Sequence, residues 1–290
     1  MNNPLFRPPA EAYSLILQVD RGCPYNRCSF CGMYRRVVYD RLAMDDVRRL
    51  IAAEAECRPA ARRIFLADGD VMRRPFDELY EIMQMLNSSF PRLARVSCYA
   101  GGGSIASKSD EQLRELKSLK LHTLYMGLES GSDEVLRSCR KAEGCHKMVE
   151  AGIRAQSCGL RMSVMILLGL GGREGSREHI SGTVAALNRM QPRLLSALRV
   201  VPVEGTELYD DVIGGKFLQL SEYGVVDELR QIIAGLELQS TVFRANHGSN
   251  VVPLEGRLPR DREKLLAKLD QLMESGALDR DTPGNMPLYL

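Results

Sequence analysis

Short apolar runs alternate with stretches of helical spacing along most of this chain. Ser14–Val19 (S-L-I-L-Q-V) reads as a buried strand that leads into a cysteine-rich loop. Met44–Glu56 places its apolar residues at helical intervals, and Ile64–Ala67 is a short apolar run ending in D-G-D. Pro75–Leu86 resumes the helical pattern, and Arg95–Ala100 is a strand closed by Gly101–Gly103. Ser109 is a good N-cap for a helix over Asp110–Leu119. Leu121–Gly127 is the next strand, followed by a helical region over Ser132–Ser157. Arg161–Leu168, a helix over Ser176–Met190, and Leu194–Val201 close the series.

Strands alternating with helices imply right-handed βαβ units on a parallel sheet. Six such units suit either an open doubly wound sheet or a barrel-like one. Polar residues and glycines gather where the strands end, at Asp68–Asp70, Tyr99–Gly103, Gly127–Gly131, Gly169–Gly172 and Pro202–Gly205. That is the end on which barrels build active sites. Residues 206–290 differ in character. They hold a helix near Glu222–Leu236, a β-prone piece Ser240–Arg244, the polar loop A-N-H-G-S-N and a helix over Asp261–Glu274. Two parts are expected: a core over 1–205 and an extension over 206–290 that packs on it and partly closes its mouth.

Composition narrows the classes. The chain has 290 residues, of which 44% are hydrophobic, enough for a large core. Its 39 basic and 37 acidic residues nearly balance, so no nucleic-acid footprint is expected. The opening M-N-N-P-L-F-R-P-P-A-E lacks the charged-then-apolar layout of a signal peptide. The longest apolar run, Met162–Gly172, is too short to span a bilayer. A soluble, cytoplasmic protein with reduced thiols and no membrane partner is the expectation.

Candidate chemistry centres on Cys23–Cys31, C-P-Y-N-R-C-S-F-C, which sets three of the eight cysteines at C-x4-C-x2-C. Thiolates hold iron–sulfur clusters, and close spacing lets one loop wrap around a cluster. Three thiolates leave one iron of a cubane open for a small molecule, as a catalyst requires. A zinc site wants four protein ligands, and the nearest histidine downstream is His122. Zinc and ferredoxin-type electron transfer stay as alternatives. Cys57, Cys98, Cys139, Cys145 and Cys158 read as small buried hydrophobes, with an auxiliary cluster as the alternative. The turn Gly169–Gly172 fails the dinucleotide fingerprint, because Glu174 occupies the third glycine position.

Together the cysteine loop, the D-G-D and the G-L-E-S-G strand end resemble the radical S-adenosylmethionine superfamily. The likeness runs over about Ser14–Gly205, and its common spacing, C-x3-C-x2-C, is one residue shorter than here. The loop and the late segment F-R-A-N-H-G-S-N are similar to a branch known as Fe–S oxidoreductases. The resemblance implies a partial (β/α)6 TIM-like barrel with a C-terminal helical extension. It also implies a [4Fe–4S] cluster on Cys23, Cys28 and Cys31, with S-adenosylmethionine on the fourth iron. An electron from a donor such as flavodoxin or ferredoxin would then yield a 5′-deoxyadenosyl radical that takes hydrogen from a small-molecule substrate.

By the same resemblance Ala67–Asp70 takes the place of the element that meets the cofactor's ammonium. Gly69 allows close backbone approach, and Asp70, or else Asp68, accepts the hydrogen bond. Glu129 with Ser130 fits a ribose diol, and Lys141 or Arg140 fits a carboxylate. The backbone near Val200–Val203, with Val201, meets adenine, while Phe30 lies against adenine or serves the core. Asn246, His247 and Asn250 form a polar cluster for substrate, with His247 a proton shuttle. Tyr99 points into the cavity or into the core. Alternative functions are a radical modifier of a peptide or RNA, and a zinc or iron–sulfur scaffold without turnover.

Overall fold

The computed structural model describes residues 6–284. β1 (Leu15–Leu17) is followed by an antiparallel ribbon of β2 (Asp20–Arg21) and β3 (Asp40–Arg41), which brackets the cysteine loop in sequence. Then come α1 (Met44–Cys57), β4 (Arg63–Leu66), α2 (Phe76–Ser89), β5 (Arg95–Tyr99), α3 (Gly102–Ala106) and α4 (Asp110–Ser118). Next are β6 (Leu121–Glu129), α5 (Asp133–Ser138), α6 (Cys145–Ser157), β7 (Arg161–Leu168), α7 (Gly172–Met190) and β8 (Leu194–Arg199). The chain continues through α8 (Glu207–Ile213), α9 (Glu222–Gly235), β9 (Thr241–Ala245), β10 (Leu254–Leu258) and α10 (Arg262–Glu274).

Eight strands form one sheet in the order β1-β4-β5-β6-β7-β8-β9-β10, and β2 and β3 stand apart. Pairing is parallel from β1 through β6 and from β7 through β9, and β10 runs antiparallel to β9. This mixed α/β fold has the successive strand order of a partial TIM-like barrel. The expected strands are present because their β-branched and leucine side chains are buried, as the patterns of β4 and β7 show. Ser109 caps α4 in a full capping box: its hydroxyl accepts from the Gln112 N–H at 3.2 Å, and the Gln112 amide oxygen accepts from the Ser109 N–H at 2.9 Å.

The chain divides into two compact units. The first holds the described residues up to Asn26, Met33–Met126 and Ala151–Met162. The second holds Arg27–Gly32, Gly127–Glu150 and the chain from Ser163 on. The extension is more than helical, since β9 and β10 lengthen the sheet. The region Ser132–Ser157 is two helices, broken where Arg140 adopts a left-handed φ of 54°.

Within the first unit, Arg74 is the largest fully buried side chain. Its Nε donates to Asp20 at 2.9 Å, and its Nη atoms donate to Glu78, Val19 O and Leu42 O, each at 2.8 Å. One guanidinium therefore ties the segments on both sides of the ribbon to the start of α2. Burial pushes the Asp20 carboxyl up to about 6, against the pull of Arg74. Removing one partner of such a pair leaves the other charge buried and alone. Arg74→Met is expected to cost about 3–5 kcal/mol in urea unfolding; a loss under about 1 kcal/mol, typical of exposed ion pairs, would show that the pair contributes little.

Candidate active site

In the first unit the strand end after β4 grips the cysteine loop. Asp68 is buried, and its backbone is left-handed at φ 72°. Its carboxylate accepts from the Gln18 amide at 2.5 Å, the Gly22 N–H at 3.1 Å and the Tyr34 hydroxyl at 3.2 Å. Burial, reinforced by the Asp68 charge, raises the Tyr34 phenol well above its ordinary range, so it stays a donor. Asp68 is thus occupied with holding the strand before the loop and both flanks of the loop itself. Gly69 lies against the loop backbone: a methyl group there would sit 2.5 Å from Cys23 Cα and 2.7 Å from Gly22 O. Only hydrogen fits.

Asp70 is half-buried and accepts from the Ser104 hydroxyl at 2.8 Å, at the start of α3. The Asn26 N–H donates to Cys23 Sγ at 3.5 Å. Tyr99, at the end of β5, is half-buried and packs edge-on to Phe65 and Tyr125, with centroids 5.1 and 6.3 Å away. Burial raises its phenol.

In the second unit Arg27–Gly32 is held by its backbone. The Ser29 N–H donates to Cys139 O at 2.9 Å, and the Leu208 N–H donates to Ser29 O at 3.1 Å. Phe30 packs against a cluster that includes Leu167, Val200 and Leu208. Val201 is buried beside that cluster in sequence, and the Val200 N–H donates to Leu168 O at 2.9 Å. The Cys28 thiol is pushed up to about 12 by burial, with Lys141 pulling it down and Glu129 pushing it further up.

Glu129 closes β6 in a left-handed conformation at φ 63° and is buried. Its Oε1 accepts from Lys141 Nζ at 3.0 Å, while Oε2 is buried with no hydrogen-bond partner among the described residues. Burial opposes the charge on Lys141, but Glu129 together with Cys28 and Cys139 outweighs it and holds the ammonium above its ordinary range. The left-handed turn at Arg140 that ends α5 is what sends Lys141 back toward Glu129. Arg140 instead pairs with Glu207 at 2.9 Å. The orphaned Oε2 is a buried acceptor without a donor among the described residues.

His247 is half-buried, its Nδ1 is 2.9 Å from the Ser249 hydroxyl, and burial lowers its basicity. Asn246 is exposed. Asn250 is an anchor: its amide donates to Ala197 O at 2.8 Å and accepts from the Arg199 N–H at 2.7 Å. The three loop cysteines form no disulfide and are half-buried. Of the other five, Cys98, Cys139 and Cys158 are buried as expected, but Cys57 is exposed and Cys145 half-buried. Among the described residues no three His, Cys, Asp or Glu side chains stand close enough to share one metal ion. In a cubane each thiolate takes a different iron, so no such convergence is needed.

The family profile described as the radical SAM superfamily matches residues 17–181, more than half of the chain. The chain belongs to the radical SAM superfamily. It is 25% identical over 162 residues to a protein of Methanocaldococcus jannaschii whose name assigns it provisionally to the methylthiotransferases. That match takes in 52% of this chain and 34% of the relative, so the chain spans about a third of the relative's length. Among solved structures, methylornithine synthase is similar with a TM-score of 0.53, 17% identity, and coverage of 89% of this chain and 81% of that one. Coproporphyrinogen III oxidase of Escherichia coli, called a radical SAM enzyme, is similar with a TM-score of 0.56, 15% identity, and coverage of 76% and 51%. These structural likenesses show the fold, and family and fold together mark an enzyme. Among the described residues no helix is long and apolar enough to cross a membrane.

In this radical SAM chain one buried polar set escapes a reading by motif. His179 of α7 and Glu228 of α9 are both fully buried, and His179 Nε2 lies 3.6 Å from Glu228 Oε1. Glu228 also accepts from the Gly169 N–H and the Ser176 hydroxyl, both at 2.5 Å. His179 Nδ1 is 2.9 Å from the hydroxyl of Ser130, which is fully buried and accepts from the Ser132 N–H at 3.0 Å. One signal was available: Glu228 sits in the apolar stripe Val225, Leu229, Ile232, where a carboxylate is out of place.

Two outcomes test this geometry. Gly69→Ala is expected to cost about 1–3 kcal/mol by overpacking and to lower iron bound per chain after anaerobic reconstitution; unchanged iron would mean the loop yields without loss. The second concerns pH. Burial pushes Glu228 up to about 7 from 4.5 and His179 down to about 4 from 6.5. Between pH 4.5 and 6.5 folded Glu228 keeps a proton that the unfolded chain releases, so it lowers stability as pH rises. Over the same range folded His179 lacks a proton that the unfolded chain binds, so it raises stability with pH. The slopes oppose. Glu228→Gln leaves only the histidine's, so the variant's urea midpoint should climb with pH more steeply than the native one; parallel curves would show that Glu228 is not held protonated.

Proposed function

We propose that this chain uses a [4Fe–4S] cluster on Cys23, Cys28 and Cys31 to cleave S-adenosylmethionine and abstract hydrogen from a small-molecule substrate. The carrying observation is the pressed contact of Gly69 on the Cys23 backbone, which fixes the start of a loop that bears three cysteines outside any disulfide. When bound and reduced, the cluster and S-adenosylmethionine supply a 5′-deoxyadenosyl radical. The protein's part is to bind, orient and exclude. Glu129 Oε2 accepts a ribose hydroxyl, and Lys141, fixed by Glu129 Oε1, adds positive charge for a carboxylate. Asp70 accepts from the cofactor's ammonium, since Asp68 is committed to the loop. Ser130 supports the turn beside Glu129, and the backbone around Val201, with Phe30 nearby in the same apolar cluster, takes adenine. Tyr99, His247 and Asn246 are the side chains assigned to the substrate.

The electron donor is a small redox protein such as flavodoxin or ferredoxin, and eight cysteines outside any disulfide suit a reducing cytoplasm. Neither a membrane nor a nucleic acid is among the proposed partners. After anaerobic reconstitution, dithionite and S-adenosylmethionine should yield 5′-deoxyadenosine, and Cys28→Ser should abolish it. Bound zinc without cleavage would replace this function with that of a scaffold.

A further inference from the structure

Four polar side chains with no exposed surface lie behind the Glu129 turn: Ser130, His179, Thr183 and Glu228. Burying such groups is costly unless each is hydrogen-bonded, so a set of four linked across separate elements has a common job or a common cost. Their linkage is directional. His179, Gly182 and Thr183 stand at i, i+3 and i+4, on one face of α7. That face meets the turn after β6 at three points. His179 Nδ1 reaches the Ser130 hydroxyl at 2.9 Å, and the Gly131 N–H donates to Thr183 Oγ1 at 3.0 Å. Gly131 and Gly182 touch through their backbones, so closely that a methyl on Gly131 would sit 2.1 Å from the Gly182 carbonyl. The turn so clamped is the one that sets the left-handed Glu129 and its unpartnered Oε2.

Behind the ring, His179 Nε2 faces Glu228 Oε1 at 3.6 Å. That separation is too long for a hydrogen bond, and Nε2 is buried with no hydrogen-bond partner among the described residues. The same oxygen accepts from the Gly169 N–H at 2.5 Å, at the end of β7. Glu228 therefore holds the end of β7 directly and stands against the His179 ring, whose other nitrogen reaches Ser130 at the end of β6.

We propose that Glu228, His179 and Thr183 are positioning residues for the nucleoside half of the cofactor, acting through Ser130 and the turn that presents Glu129. This rests on the reading of Glu129 as the ribose acceptor. A purely structural role would lower stability without distinguishing one half of the cofactor from the other. A positioning role weakens contacts to the nucleoside and leaves the amino-acid half, held at the cluster, unchanged.

Two probes separate the halves: S-adenosylhomocysteine, whose binding is measured by equilibrium dialysis, and L-methionine, whose binding is read from the electron paramagnetic resonance of the reduced cluster. Both are applied to the full chain after anaerobic reconstitution, at matched iron content. His179→Phe is expected to weaken S-adenosylhomocysteine by about five- to tenfold and to leave the methionine titration unchanged. Thr183→Val, which keeps shape and removes only the Gly131 acceptor, should do the same with a smaller thermal penalty, and it covers the case in which His179→Phe does not fold. Equal affinity for S-adenosylhomocysteine in native protein and Thr183→Val, or a parallel loss of both probes, overturns the assignment. A native chain that binds neither probe removes the function proposed above as well, and so differs from a native chain that binds both and is indifferent to the substitutions.

Discussion

The start of the cysteine loop depends on how near Gly69 comes to Cys23. With 2.5 Å between Cys23 Cα and the place a methyl would occupy, the strand end after β4 and the first cysteine share space that only a hydrogen can fill. That approach would drift without Asp68. One carboxylate there accepts from Gln18 ahead of the loop, Gly22 at its start and Tyr34 beyond it. Three donors onto one carboxylate also supply what the left-handed backbone of Asp68 costs, of order 1–3 kcal/mol for a non-glycine residue.

The strand end of β6 repeats that device in the second unit. Glu129 too has a positive φ, too is buried, and too lends one oxygen to structure, through Lys141. The difference is its second oxygen, which has no partner among the described residues. In water such an atom loses little, but in a buried site it forfeits the strength of an unmade bond. Burial also raises the nearby Cys28 thiol, against the pull of Lys141.

Much of this could be read in advance, for identifiable reasons. Strands buried on both faces are continuous apolar runs, and β4 and β7 stood out as such. The cysteine spacing and D-G-D were visible because their chemistry is local in sequence. What escaped is non-local or short. The ribbon β2–β3 has two residues a side and is fixed by Arg74, more than thirty positions past Arg41. β10 exists because β9 offers an edge, and α3 and α8 are too short for periodicity to show. The region Ser132–Ser157 reads as one helix because nothing in R-K-A-E announces that Arg140 turns left-handed. The division of labour within D-G-D is equally hidden: the first Asp is taken by the loop, and only its tertiary partners reveal that.

The C-terminal residues belong to the sheet as much as to its cover. β9 pairs with β8 in parallel, so without it β8 would present an open edge. Glu228, brought by α9, accepts the Gly169 N–H at the end of β7, a backbone donor that would otherwise need water. α9 in turn packs on α7 and α10, so its carboxylate is held from both sides. An extension added merely to cover a finished barrel would have no reason to bury an acid among Val225, Leu229 and Ile232. The placement makes sense if the ends of β6 and β7 were never complete without it, and if the turn that carries Glu129 is supported from a helix almost a hundred residues away.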